Sequence, residues 1–498
     1  MKIIIPMTGL SSRFKSQGIE TPKQFLKIGN KLIIQHIIDM FPNEKDINFI
    51  VNKADLKNKM LHEFYDFLSN YHLVEIEHQK TGPGGAVLHS KILETDSPVI
   101  INYCDFSNIW DWEKFKGYVK EEDPDGVVPA YKGLHPHSIY GNDYAFIKNK
   151  KDVITNIQEK KSFTNDKLNE YASSGSYYFK TGHLAKKYIT KSFNQKRYIN
   201  GEIYISTSYE EMINDGLDVR LYKLDYFFQW GTPEDYLEFL YNLEEVRNVR
   251  SKNKISIRDI NLLVPAAGEG SRFKEKNYNQ SKIFLEVNGL PLIHQIFNSF
   301  SDQANSKILL LERDFNKNLF QNKKVDFNII KEKTAGQAES AYKLVKEVHN
   351  SKPILIHSAD CILDKSTIIN IGDYDIVVYT KNNYRRAFSQ ELNYGWINST
   401  KNSIRSLSIK QPPKTEKSNV IVGTFLFKNK ELFEKTYLKT LDKYKNTNEI
   451  HIDHIVETAI ETGLKVKEVP STNSVMLGTP LEYELFNYMK IAYEYLNE

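Results

Sequence analysis

The chain has 498 residues, of which 40% are apolar and 26% charged. It is too long for one typical domain and too apolar for general disorder. With 67 Lys+Arg against 63 Asp+Glu, it is too evenly charged for a dedicated nucleic-acid binder.

The first hundred residues alternate between two hydrophobic periods. Residues 2–6 (KIIIP) are a short β-branched run and predict a buried strand, followed by a Gly/Ser turn. Residues 31–41 carry apolar positions at helical spacing, 47–51 are strand-like, and 56–72 are helix-like. Residues 74–77, 85–93 and 97–105 then read as strand, helix and strand. Such alternation predicts an α/β unit with a largely parallel sheet, whose ligands gather at the carboxyl ends of the strands. The glycine-containing loop and Asp105 both follow strand-like runs, so both point to that edge.

The same pattern recurs in the second half. Pro6, Gly9, Ser12, Arg13, Phe14 and Lys23 match Pro265, Gly268, Ser271, Arg272, Phe273 and Lys282 at one common offset. Further on, Thr81-GPGGA answers Thr334-AGQA, and Asp105 answers Asp360. Tyr140-Gly141 answers Tyr394-Gly395, and Gly175 answers Gly423. Glu202 answers Glu449, and Gly231-Thr232-Pro233 answers Gly478-Thr479-Pro480. A tandem duplication is expected, with domains at 1–252 and 258–498 separated by a charged stretch.

Glycines let backbone N–H groups approach phosphate oxygens, and an arginine adds a fixed charge. The second-half loop, Ala267-Gly268-Glu269-Gly270-Ser271-Arg272, has both features. The first-half loop, Thr8-Gly9-Leu10-Ser11-Ser12-Arg13, has Ser11 in place of Gly270. Neither is a P-loop, because no Gly-Lys-Ser/Thr follows. Lys23 and Lys282 stand at the same spacing beyond the arginines, as cations for a transferring phosphoryl group would.

Gly-x-Gly-Ser-Arg followed by Pro-Lys resembles the signature of the sugar nucleotidyltransferases (nucleoside-diphosphate-sugar pyrophosphorylases), and the resemblance covers both halves. It implies two tandem Rossmann-like α/β domains, each a mixed, mostly parallel sheet flanked by helices. It also implies transfer of a nucleotidyl group from an NTP to a sugar 1-phosphate or related phosphorylated alcohol, with release of pyrophosphate, for capsule or other surface polysaccharide synthesis. In the resemblance Arg13, Lys23, Arg272 and Lys282 are catalytic. The loop residues Thr8, Gly9, Ser11, Ser12, Ala267, Gly268, Gly270 and Ser271 hold the nucleotide, with Thr81, Gly84, Gly85, Gly336 and Gln337 at the base pocket.

The acceptor side would comprise Tyr140, Glu159, Lys160, Gly175 and Glu202, with Tyr394, Gly423 and Glu449 in the second half. Asp105 and Asp360 would bind Mg²⁺, with Asp111 and Asp364 nearby to assist. Two departures stand out. The common pattern has a second metal-binding Asp two residues before the Gly-Thr-Pro glycine, whereas this chain has Gln229 and Met476 there. The Glu159-Lys160 pair becomes Ile409-Lys410 in the second half. On these grounds the first half is expected to be catalytic, and the second is left open.

Two other classes compete with this reading. One is a non-catalytic regulatory protein that binds nucleotide or sugar phosphate, with one or both domains degenerate. The other is a glycosyltransferase, which would want an Asp-x-Asp after a strand; NYCDFS and HSADCI have none. The cysteines Cys104 and Cys361 exclude a disulfide framework and are read as small buried residues. No run reaches the ~18 uncharged apolar residues of a membrane span, and the N-terminus lacks a signal-peptide pattern. A cytoplasmic protein acting on small molecules is expected, with room for an oligomer.

Overall fold

In the first unit the apolar run at the N-terminus forms strand β1 (Lys2–Pro6), with Ile3, Ile4 and Ile5 fully buried. The computed structural model describes residues 1–141, 143–301, 305–315, 325–382, 384–400 and 403–496. The strands that follow in the same sheet are β2 (Ile47–Asn52), β3 (His72–Ile76), β4 (Val99–Asn102), β5 (Gly126–Tyr131), β6 (Ala145–Lys150) and β7 (Val153–Glu159). The set is completed by β8 (Tyr171–Ser173), β9 (Ser176–Phe179) and β10 (Val219–Lys223). Among the described residues the sheet order is β8-β6-β7-β10-β5-β9-β4-β1-β2-β3.

β1 pairs in parallel with both β2 and β4, and β2 in parallel with β3. Antiparallel β9 lies between β4 and β5, which run the same way, and β10 is parallel to β5. An extra pairing of β8 with β5 closes β5, β8, β6, β7 and β10 into a ring. Its last link is the single pair Val153–Arg220. Helices such as Gly82–His89 and Gly182–Asn194 flank the sheet. The core includes Ile4, Ile101, Val128, Tyr177 and Leu221. Truncating a fully buried isoleucine such as Ile4 to alanine would cost about 2–5 kcal/mol.

The second unit is built from β11 (Asn261–Ala266), β12 (Ser306–Leu311), β13 (Val325–Ile330), β14 (Ile354–His357), β15 (Ile376–Lys381), β16 (Gly395–Thr400), β17 (Ser403–Ile409), β18 (Asn419–Phe427) and β19 (Val466–Pro470). Their order, β13-β12-β11-β14-β18-β15-β19-β17-β16, repeats that of the first sheet read from its other end. β18 does the work of both β8 and β9, pairing with β14, β15 and β16. A separate core includes Leu263, Ile356, Val378, Phe425 and Ile455.

The compact units are Met1–Leu240 with Ala492–Glu498, and Tyr241–Ile491. The division falls inside the helix Pro233–Arg250 and not in the charged stretch at 252–258. The last turns of this helix bury Glu245 within the second unit. There its carboxylate lies 2.5 Å from Lys381 Nζ and 3.0 Å from Arg386 Nη2. Burial alone would raise the Glu245 pKa; the two cations outweigh it and lower it. Among the described residues no helix is long and apolar enough to cross a membrane.

Candidate active site

In each unit the first strand has parallel neighbours on both sides, reached by connections that leave in opposite directions. This is the switch point at which open α/β sheets bind ligands. In the first unit, β1 runs into the loop 7–11 and β4 into Asp105.

Ser11 adopts a left-handed conformation (φ 51°), as does its counterpart Gly270 (φ 65°). The turn therefore demands positive φ, which glycine adopts without strain. The serine contributes an acceptor instead: Lys23 N–H donates to Ser11 Oγ at 3.1 Å. Thr8 is buried, whereas Gly9, Ser12 and Arg13 are exposed. The Arg13 charge reaches Tyr204.

Lys23 and Asp105 meet directly, Nζ to Oδ2, at 2.5 Å. Lys282 and Asp360 do the same at 2.5 Å. Burial alone would lower the Lys23 pKa, but Asp105 outweighs it and raises it. Burial likewise works against ionised Asp360, yet Lys282 and Ser358 hold its carboxyl near 2. Gln229 pairs with Phe106 across a two-stranded ribbon. A Cβ on Gly231 would lie 2.6 Å from Asp105 Oδ2 and 2.7 Å from Gln229 Nε2, so both groups flank one point. Met476 takes the equivalent place, pairing with Cys361.

Asp111 is a helix cap, its Oδ1 accepting from Lys114 N–H at 3.0 Å. Asp364 likewise accepts from the Ser366 and Asn473 N–H groups. Both cysteines are buried, and burial pushes the Cys104 thiol up to about 12.

The residues expected on the acceptor side of the first unit form two hydrogen-bonded groups. Lys160 Nζ donates to Tyr204 Oη at 2.9 Å, and that hydroxyl donates to Glu202 at 2.8 Å. Ser206 Oγ donates to Glu159 at 2.5 Å. Burial pushes Glu159 up to about 7, with Ser206 and Lys160 pulling it back. Gly175 (φ 96°) turns the chain between β8 and β9, where a Cβ would meet the Phe106 ring at 2.9 Å. Gly84 and Gly85 are buried in the helix that starts after Thr81, and their lack of a side chain is explained by packing. A Cβ on Gly84 would lie 2.8 Å from Ile203, and one on Gly85 would overlap Thr81.

One correspondence changes. Strand register sets Glu159 opposite Ala145 and Ile409 opposite Gly395, so Tyr394 answers Tyr144, not Tyr140. Lys160 and Lys410 bear this out by donating their N–H groups to Tyr144 and Tyr394. A shared Tyr-Gly dipeptide misled the sequence reading, whereas strand pairing decides the register. Tyr140 instead donates to Glu238 at 2.7 Å, while Tyr394 donates to Glu482 at 2.8 Å.

In the second unit a cavity of about 650 Å³ gathers the nucleotide, acceptor and metal candidates expected there, except Asp364. Its wall runs from Ala267–Arg272 and Lys282 through Gly336 and Gln337 to Asp360, Tyr394, Gly423 and Glu449. It also holds Lys410, the counterpart of Lys160, and Asp453, which the sequence reading passed over. Burial lowers the Lys410 pKa, with Arg272 adding to the effect and Asp453 opposing it. Burial pushes Asp453 up to about 6 against the pull of Lys410. Setting EIYIS beside EIHID, which places Asp453 on Ser206, would have exposed it.

Comparison with known proteins adds three findings. Residues 262–396 match the family model of the MobA-like NTP transferase domain. The chain is 24% identical over 245 residues to D-glycero-α-D-manno-heptose 1-phosphate guanylyltransferase of Campylobacter jejuni, covering 49% of this chain and 100% of that protein. Among solved structures, it is similar to a nucleoside-diphosphate-sugar pyrophosphorylase from Vibrio cholerae, at 19% identity over 48% of this chain and 99% of that one, with a TM-score of 0.38. It is also similar to the inositol-1-phosphate CTP transferase of T. maritima, at 15% identity over 47% of this chain and 96% of that one, with a TM-score of 0.37.

Proposed function

We propose that this chain is a tandem nucleotidyltransferase. It transfers a nucleotidyl group from an NTP to a sugar 1-phosphate or related phosphorylated alcohol and releases pyrophosphate. The observation that carries this reading is the Lys–Asp pair at the switch point, formed at 2.5 Å in both units beside a loop that ends in arginine. The NTP transferase match at residues 262–396 and the guanylyltransferase relative support it. The relative makes GTP and heptose-type sugar phosphates the first pair to try, and surface polysaccharide the first destination to consider.

In this mechanism an oxygen of the acceptor phosphate attacks the α-phosphorus in line. The new P–O bond forms as the bridging bond to the β-phosphate breaks, and pyrophosphate leaves with the electron pair. No side-chain nucleophile is needed. Lys23 exchanges Asp105 for phosphate oxygens and takes developing charge, and Arg13 holds the triphosphate. Glu159 and Lys160 orient the acceptor.

Magnesium, when bound, neutralises phosphate charge and keeps most of its remaining ligands as water. Among the described residues no three His, Cys, Asp or Glu side chains cluster as a metal site, so an ion would rely on one carboxylate and the ligand's own phosphates. The first unit fits that demand, with Asp105 and Gln229 flanking one point. The second keeps its carboxylate, Asp360, but the thioether of Met476 offers a hard cation no second oxygen where the first unit has Gln229. We therefore assign catalysis to the first unit and binding to the second.

The test is pyrophosphate release by the purified chain across four NTPs and a panel of sugar phosphates. Turnover with one pair, abolished in Lys23→Ala and Asp105→Ala, is expected. Failure of every pair by folded protein, alongside tight NTP binding, would instead establish a non-catalytic binder.

A further inference from the structure

The second unit lacks a carboxylate where the first has Glu159, yet the structure supplies one from another element. Glu159 ends β7 and receives the Ser206 hydroxyl from the helix Ile205–Asn214. In the second unit β17 ends in Ile409, which accepts nothing, and the helix Ile452–Glu461 carries Asp453. Ser206 and Asp453 are each the second residue of their helix. The strand carboxylate and the helix hydroxyl have become a strand alkyl group and a helix carboxylate.

A third position changes with them. Ala145 stands opposite Glu159, whereas Gly395 stands opposite Ile409. A Cβ on Gly395 would overlap Asp453 Oδ2 and lie 2.9 Å from its Cγ. Gly395 is absent from the residues with positive φ, so space, not backbone conformation, requires the glycine. The pocket is thus shaped around the Asp453 carboxylate.

Asp453 is only 9% exposed and accepts no hydrogen bond from any described residue, yet it lines the same cavity as Lys410, Arg272 and Lys282. An acid in the first turn can favour a helix dipole, but that role needs neither burial nor a glycine opposite. A buried carboxylate with unused acceptor capacity, in one cavity with cations that suit phosphate, fits a ligand that brings hydroxyl donors and a phosphate together.

We infer that Asp453 is the hydroxyl-binding carboxylate of the second unit and that, with Lys410, it selects polyhydroxylated phosphate esters over bare phosphate. This rests on the nucleotidyltransferase reading and deepens it, because it makes the second unit a working acceptor site.

The test is calorimetry on the full chain carrying Glu159→Gln, which silences the first acceptor site. The probes are α-D-mannose 1-phosphate, α-D-glucose 1-phosphate, glycerol 3-phosphate and inorganic phosphate. At least one ester should bind more tightly than inorganic phosphate. Adding Asp453→Asn should weaken that ester about tenfold or more and leave inorganic phosphate unchanged. Rebuilding the first-unit arrangement with Gly395→Ala, Ile409→Glu and Asp453→Ser should recover most of the loss. If Asp453→Asn changes nothing, or weakens ester and inorganic phosphate alike, the inference falls while the functional reading stands. If no ester binds better than inorganic phosphate before Asp453 is touched, the inference falls; the functional reading falls with it only if the chain with Glu159 intact also releases no pyrophosphate from any pair.

Discussion

The two units share the lysine–carboxylate pair and differ on both sides of it. On one side the first unit has Gln229 and the second Met476; on the other, Glu159–Ser206 faces Ile409–Asp453. In the proposed function the shared part would handle phosphate, which any nucleotide brings, and the differing parts would meet the hard cation and the acceptor. Two copies of one sheet can therefore keep the same electrostatic centre while diverging in what they accept and whether they turn over.

The sharpest way to break this comparison is to remove the lysines one at a time. Lys23→Ala should lower pyrophosphate release by about a thousandfold, as loss of a transition-state cation does. Lys282→Ala should leave it within about twofold if catalysis belongs to the first unit. Equal losses would make both units catalytic.

Next in size is a packing test of the acceptor side. Gly395→Ala drives a methyl group into Asp453 and should destabilise the second unit by about 1–3 kcal/mol in urea unfolding. The reverse change, Ala145→Gly, meets no such group and should cost about 0.5–1 kcal/mol.

The cation side is sharpened by exchanging its amide. Gln229→Met should raise the Mg²⁺ concentration giving half-maximal rate about tenfold. No change in that titration would remove Gln229 from the metal's surroundings.

The smallest effect concerns pH. Burial raises Glu159 to about 7 from the ordinary 4.5, so the folded chain binds this proton more tightly than the unfolded one. Its contribution to stability is therefore full below about pH 4.5 and is lost as pH rises through 7. Glu159→Gln should flatten that slope, shifting Tm relative to the parent by about 2–4 °C between pH 5 and pH 8.

Much of the phosphate side was legible because its residues are local: an apolar strand, a turn needing positive φ, and a lysine a short way on. Repetition in the second half then separated signal from accident. The acceptor side was harder to read, because there the partners come from different elements. A two-residue match paired Tyr140 with Tyr394, whereas hydrogen-bonded register pairs Tyr144 with it. Asp453 escaped notice because its charge moved from strand to helix, which a position-by-position reading records as a loss. Likewise, the charged stretch after the helix Pro233–Arg250 suggested a boundary, but the helix itself carries Glu245 into the second core.

The ring of strands around β5 also bears on how each sheet meets its surroundings. One flank folds back on itself through β8 in the first unit and β16 in the second, giving each of these strands a partner on both sides and so less free edge to template a foreign strand. Among the described residues the open rim of each sheet is thus β3 or β13, where exposed His72 and Glu75, or Asp326, discourage end-on stacking. Each sheet therefore guards against fibril-like growth by fold-back pairing at one margin and by polar side chains at the other.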